Sequence, residues 1–201
     1  MKVHVHGKRW SRFCFRLCEY TFLVAGVAIL GYCAYVWLDA RVYQRNEERS
    51  FEEIKLTAPP RVPGRPAPPV PHAVLGKIEI QHVGISAMIA EGVDHGTLKR
   101  AVGHIPGTAL PGEDGNIVLA AHRDTFFRPL RNIQKGDEIA LTTWSGAYRY
   151  RVESIQIVGP NDVAVLRPTS LPTLTLVTCY PFYFVGSAPK RFIVRAGLIA
   201  S

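Results

Sequence analysis

Three side chains in the second half of the chain have the types and contexts needed to break and remake an acyl bond. Cys179 closes the apolar run Leu174-Thr175-Leu176-Val177-Thr178-Cys179, and His122 closes Ile117-Val118-Leu119-Ala120-Ala121. Arg191 opens a third run, Arg191-Phe192-Ile193-Val194-Arg195-Ala196. A thiol attacks as its thiolate, and at an unperturbed pKa of ~8.5 only about 3% is ionised at pH 7. It therefore needs a base, and an imidazole is the usual helper. Acyl transfer also needs donors for the developing oxyanion; a guanidinium supplies two, and losing such a donor costs on the order of 10²–10³ in rate.

Each of these residues also has a plainer reading. A cysteine at a strand end is often a small buried hydrophobe, and a histidine there is often a rim residue with its bonds satisfied. Against this, Cys179 has no cysteine partner in its own domain, because Cys14, Cys18 and Cys33 all lie in or beside the N-terminal hydrophobic run. A lone thiol outside the cytosol is exposed to oxidants and calls for a role. Thr178 precedes it and can serve an adjacent site. The loop that follows, Tyr180-Pro181-Phe182-Tyr183-Phe184-Val185-Gly186, is aromatic enough to wall a substrate groove. Thr178, Tyr180 and Phe182 are accordingly the candidate substrate-binding residues. Of the other histidines, His4 and His6 precede the hydrophobic run, His72 belongs to a linker, and His82, His95 and His104 sit in turn-like contexts where solvation is expected. Arg195 shares a strand face with Arg191, since the two are an even number of residues apart.

The elements that must position these groups are mostly strands. From about Ala73 the chain breaks into short apolar runs punctuated by Gly, Pro and Asn-Asp. The expected strands are Leu75–Ile80, Ile85–Ala90, Asn116–Ala121, Glu138–Thr143, Ala147–Val158, Thr173–Cys179 and Arg191–Ile199, with a hairpin turn at Trp144-Ser145-Gly146. Tyr148, Tyr150 and Val152 alternate with charged residues until the phase slips near Ser154, the mark of a bulge. A short helix is expected at His95–Val102 and a single turn near Phe126–Arg131. Seven or eight strands in 129 residues suit a small closed barrel, which also removes exposed sheet edges. The fold class is mainly β, with one or two short helices.

Ahead of the barrel, residues 57–72 hold seven prolines and read as an extended spacer. Residues 39–56 form a charged juxtamembrane stretch that can continue as helix. Tyr20 to Leu38 is nineteen residues without a formal charge; at 1.5 Å per residue it spans roughly 28 Å, close to the hydrocarbon core. It lacks the small-x-small site of a cleaved leader. Five Lys/Arg precede it against Glu19 alone, which places residues 1–19 in the cytosol and everything after the anchor on the extracytoplasmic side. The barrel, residues 73–201, is expected to fold and act alone.

The formal charge of +8 does not indicate nucleic-acid binding. Residues 1–72 carry eleven Lys/Arg against six Asp/Glu, and the remainder thirteen against ten, with no basic stripe interleaved with aromatics. Glu113, Asp114 and Asp124 are too few and too spread for calcium. Cys14 and Cys18 with His4 and His6 are too loosely spaced for zinc. No cofactor is expected.

The strand ending Thr175-Leu176-Val177-Thr178-Cys179, the upstream Ala121-His122 and the following Lys190-Arg191 resemble the signature of the sortase family of membrane-anchored cysteine transpeptidases. The stretches HIPGTALPGEDGNIVLAAHRDTFFRPLRNIQKGDEI and LTLVTCYPFYFVGSAPKRFIVRA look most like class D sortases; Ala121 stands where the family commonly has Gly. The resemblance implies an eight-stranded barrel. It also implies a Cys179 nucleophile for an LPxT-type sorting signal of secreted proteins, His122 as acid and base, and Arg191 at the oxyanion. The thioacyl enzyme would pass to an amine acceptor of the cell wall or of a protein. The residues alone also admit a non-catalytic tethered barrel that binds envelope peptides, or a simple cysteine hydrolase.

Overall fold

The computed structural model describes residues 7–57, 70–184 and 186–200. Most of the Pro-rich spacer, residues 58–69, lies outside the described residues, as do His4 and His6. The chain divides into two compact units, Met1–Arg41 and Val42–Ser201.

In the first unit the chain is helical from Gly7, the start of helix α1 (Gly7–Thr57). Its apolar side chains face outward all round: Phe22, Leu23, Val27, Leu30 and Trp37 are all exposed. A helix apolar on every side has no core of its own to cover and suits a nonpolar solvent. The segment Phe15–Glu53 contains a stretch long and apolar enough to cross a membrane, by length and composition. The Arg41 guanidinium lies 4.0 Å from the centre of the Trp37 ring, a cation on an aromatic face.

The second unit is a closed eight-stranded barrel. Its strands are β1 (Val74–Ile80), β2 (Ile85–Glu91), β3 (Val102–His104), β4 (Asn116–Ala120), β5 (Glu138–Thr143), β6 (Ala147–Val158), β7 (Thr173–Tyr180) and β8 (Lys190–Ala200). Around the barrel they run β1-β2-β3-β4-β7-β8-β6-β5. The pairs β2/β3 and β4/β7 are parallel and the others antiparallel. Helix α2 (His95–Arg100) makes the crossover between β2 and β3. Single 3-10 turns occur at Arg128–Asn132 and Val163–Leu166.

Strand alternation fills the interior. Ile78 and Ile80, Ile117 and Leu119, Ile139 and Leu141, Leu174 and Leu176, and Val194 with Ala196 all belong to one buried cluster. Each is an alternate residue of its strand, so the residues between them face out. The expected bulge in β6 is present: the pairing with β8 shifts register between Val152 and Ser154. The Trp144-Ser145-Gly146 turn closes with the Thr143 amide donating to the Gly146 oxygen at 2.8 Å.

Three features depart from the sequence reading. Strand β3, only Val102-Gly103-His104, takes up Val102, the last residue of the expected helix, and the two residues after it. A Cβ on Gly103 would come within 2.3 Å of the Gly92 oxygen, so this tight crossover requires glycine there. His104 is not solvated: it is 1% exposed, with Nδ1 2.6 Å from the Glu91 carboxylate and Nε2 donating to the Ala109 oxygen at 3.0 Å. Glu91 and His104 are register partners across β2/β3, so the pair fastens the two strands where the ladder is shortest.

The third is that the helical residues after Val42 pack on the barrel. Phe51 is buried (4% exposed) with its ring 4.2 Å from that of Trp144. Gln44 accepts from the Met88 amide at 2.7 Å and donates to the Arg100 oxygen at 2.6 Å, and Glu48 pairs with Lys77. A chain starting at residue 73 loses all of these. We expect it to be less stable than a chain starting at Val42 by about 3–5 kcal/mol, the usual cost of deleting one buried aromatic. Equal urea midpoints for the two would show that the packing adds nothing.

A second prediction concerns alkaline pH. Burial, helped by the nearby Tyr148, raises Tyr150 from 10.0 to about 12. The raised folded value means the neutral phenol stabilises the barrel fully below pH 10.0, and that contribution is lost as the pH climbs through about 12. Stability should therefore fall across that window more steeply in the wild type than in Tyr150→Phe, as read by urea midpoints. Parallel curves would assign the alkaline loss to other groups.

Candidate active site

The site is assembled on β4, β7 and β8, which lie side by side. Parallel pairing sets Asn116 against Thr173 and Ala120 against Val177. The pairing runs past the end of β4, because the Ala121 amide donates to the Val177 oxygen at 3.3 Å. Thr178 reinforces it: its hydroxyl donates to the Ala121 oxygen at 2.7 Å. At the other end of the pair, Thr175 donates to Asn116 Oδ1 at 2.6 Å. Asn116 in turn donates to the oxygens of Val165 and Arg167 at 2.9 and 3.1 Å. Continuing the same register brings His122 beside Cys179. On the other flank Cys179 is the direct partner of Arg191 in the antiparallel β7/β8 ladder.

Alternation decides which way these groups point. Leu174 and Leu176 in β7, Leu119 and Ala121 at the end of β4, and Phe192 and Val194 in β8 face the barrel core. Cys179, His122 and Arg191 fall on the opposite parity and therefore on the outer face. The three candidate positions are at strand ends, as their sequence contexts imply. They open onto the outside of the barrel rather than into its interior, which side chains already fill. There they line one groove of about 350 Å³, together with Arg123, Asp124, Gly186, Ser187 and Ala188. Cys179 is a half-buried free thiol. Arg191 Nη1 donates to the oxygens of Ala188 and Lys190 at 3.1 and 3.0 Å, which orients the guanidinium against the loop.

The other sequence candidates are placed differently. Thr178 is 2% exposed, faces inward and spends its hydroxyl on the β4 end. Tyr180 and Phe182 pack with Phe192, with ring centres 5.2–6.2 Å apart, and root the loop after β7 on the barrel. None of these three lines the groove around Cys179. Arg195 pairs with Thr175, well along β8 from the site, and reaches the Val165 oxygen at 3.5 Å.

Three neighbours were not evident beforehand. The His95 ring is centred 6.3 Å from that of His122. His95 is carried there by α2, whose first turn is capped by Asp94 through the amides of Gly96 and Thr97. The Thr97 hydroxyl and amide hold the Asp94 carboxyl below its usual value. Arg123 and Asp124 reach the groove only because they follow His122 along the chain. Their adjacency to the histidine was the one available signal.

The sortase domain model matches residues 78–199, the whole of this barrel apart from its first few and last two residues. This chain belongs to the sortase family. It is a cysteine transpeptidase, an enzyme that cleaves a peptide bond and transfers the acyl part. It is 32% identical to sortase D of Bacillus subtilis (strain 168) over 186 residues, covering 86% of this chain and 92% of that protein. Among solved structures, the sortase D5 transpeptidase of Clostridium perfringens superposes with a TM-score of 0.64 at 30% identity, over 80% of this chain and 98% of that one. Sortase A from Corynebacterium diphtheriae gives a TM-score of 0.60 at 31% identity, over 68% and 64% of the respective chains.

The placement of Thr178 in this sortase makes a prediction. Thr178→Val leaves the buried Ala121 oxygen without its donor, which costs about 1–3 kcal/mol. It should also lower kcat by loosening the strand end that carries His122. Thr178→Ser keeps the hydroxyl and should stay near wild type on both measures. If Val is tolerated in turnover and in urea denaturation alike, the hydroxyl tie does not hold the site.

Proposed function

We propose that Cys179 is the nucleophile, His122 the general acid and base, and Arg191 the oxyanion donor of this transpeptidase, acting on an LPxT-type sorting signal. The observation that carries the reading is that these three side chains line a single outward groove. The Cys179 thiolate adds to the carbonyl carbon of the signal's threonine. The negative charge moves to the carbonyl oxygen, where Arg191 offers the N–H groups of Nε and Nη2, its Nη1 being held by Ala188 and Lys190. The C–N bond then breaks as protonated His122 gives its proton to the leaving amine, and a thioester remains on Cys179. An acceptor amine attacks that thioester and passes its proton to His122, and the thiolate departs as the new amide forms.

The substrate is on this reading the sorting-signal peptide of a secreted protein, and the acceptor an amine of the cell wall or of another protein. The apolar part of α1 serves as a single membrane anchor. The basic residues before it set the N-terminus inside and the barrel on the extracytoplasmic face. Residues 1–19, 20–38, 39–72 and 73–201 act as cytosolic tail, anchor, connecting segment and catalytic barrel, with the residues from Val42 contributing packing to the last.

The test is turnover of an LPxT-type peptide with and without an amine acceptor. Cys179→Ala should lose on the order of 10³ or more in kcat while keeping its fold, and the wild type should show a thioacyl adduct by mass. Arg191→Ala should lose about 10²–10³, and Arg195→Ala little. Activity retained in Arg191→Ala but abolished in Arg195→Ala would move the oxyanion role to the other arginine. Product that is only hydrolysed, even with abundant acceptor, would make the enzyme a hydrolase in practice.

A further inference from the structure

Between β7 and β8, Gly186, Ser187 and Ala188 form one wall of the groove; Phe182 roots the start of this loop on the barrel, but beyond it Tyr183 is 76% and Phe184 45% exposed. The exposed part of the loop is tied to the segment after His122. Arg123 Nη2 donates to the carbonyl oxygens of both Phe184 (2.6 Å) and Gly186 (3.0 Å). The same guanidinium lies over the Phe184 ring, 5.9 Å from its centre, and Arg131 lies over Tyr183 at 5.6 Å. Two cations from one segment thus sit on two consecutive aromatics of the loop. Here one guanidinium nitrogen donates to both carbonyls while the same planar group lies over the ring, a flat stacking geometry that the compact lysine ammonium does not reproduce.

The rest of the guanidinium excludes a direct role for its other end. Arg123 Nη1 is shut off from solvent and has no hydrogen-bond partner among the described residues. A donor sealed in this way cannot meet a substrate oxygen in this geometry. A buried unpaired N–H is unfavourable, so its retention needs an explanation. The two loop bonds on Nη2 provide one.

We propose that Arg123 is a positioning residue: it clamps the β7–β8 loop to the His122 segment and so fixes the width of the peptide groove beside Cys179. It acts through the loop and not on the reacting atoms. The inference rests on the Cys179 reading of the site for its kinetic part only, because the clamp itself is a property of the unliganded protein.

The test uses Arg123→Ala and Arg123→Lys in the full chain. Without the clamp, KM for an LPxT-type peptide should rise about tenfold or more, while kcat changes by less than about threefold, the pattern of lost binding rather than lost chemistry. Alkylation of Cys179 by iodoacetamide, which needs no groove, should stay within about twofold. The Phe184 amide, hydrogen bonded to the Pro181 oxygen, should exchange with deuterium faster, and Lys should not restore any of these. Unchanged exchange at Phe184 overturns the clamp. So does an unchanged KM, or a fall in alkylation that parallels kcat, which would put Arg123 in the chemistry itself. Should Arg123→Ala fail to fold, the same readouts on Arg123→Met, which keeps the aliphatic stem but removes both donors to the loop, decide the matter. If the wild type ignores LPxT-type peptides altogether, the substrate assignment fails, while exchange and alkylation still decide the clamp.

Discussion

The parallel pairing of β4 with β7 is the constraint on which the candidate site depends. Asn116 and Thr173 are 57 residues apart in sequence yet begin the same ladder. Nothing local brings these strands together, so their register must be fixed by contacts between them. Buried polar groups do this at both ends: Thr175 with Asn116 at the start, and Thr178 with the Ala121 oxygen at the finish. Such groups are unforgiving, because a slip of one residue would leave each donor buried and unpaired. The same register then determines that His122, which follows the last paired residues, emerges next to Cys179.

The barrel interior is filled with aliphatic and aromatic side chains, Phe127, Tyr150 and Phe192 among them. The candidate site therefore lies on the outer face, where its walls are built from loops. One wall is the segment from His122 to Asp124, and the other is the loop from Gly186 to Ala188. The aromatic cluster of Tyr180, Phe182 and Phe192 roots the second wall in the barrel. A rigid sheet thus supplies the thiol and the guanidinium as direct neighbours, Cys179 opposite Arg191. Less constrained segments supply the other walls of the groove.

Much of this was legible in the residues. The boundaries Glu138–Thr143 and Ala147–Val158 are those of β5 and β6, because strict alternation flanks a turn sequence and half-buried strands show their period. The bulge in β6 was legible for the same reason: an inserted residue shifts the phase of the pattern. Strand β3 was not, since three residues including a glycine have no period to read. The burial of His104 was equally hidden. Its partner Glu91 is on another strand, and a sequence does not say that a carboxylate will arrive to make an inward imidazole affordable. The residues from Val42 to Phe51 read as a charged connection, and their one deeply buried side chain, Phe51, finds its aromatic partner ninety-three positions later, at Trp144.

By itself the sequence determined the family, the strand-rich architecture and the apolar helix, because these follow from local patterns of polarity and from short strings of residues around a cysteine, a histidine and an arginine. Only the tertiary structure decided that those three share a groove, that the groove lies on the outside of the barrel, and that Arg123 holds its wall while Thr178, Tyr180 and Phe182 are turned to packing. The reason is geometric. Alternation tells which residues share a face, but whether that face looks inward or outward, and which distant strand lies beside it, is settled only when the sheet closes.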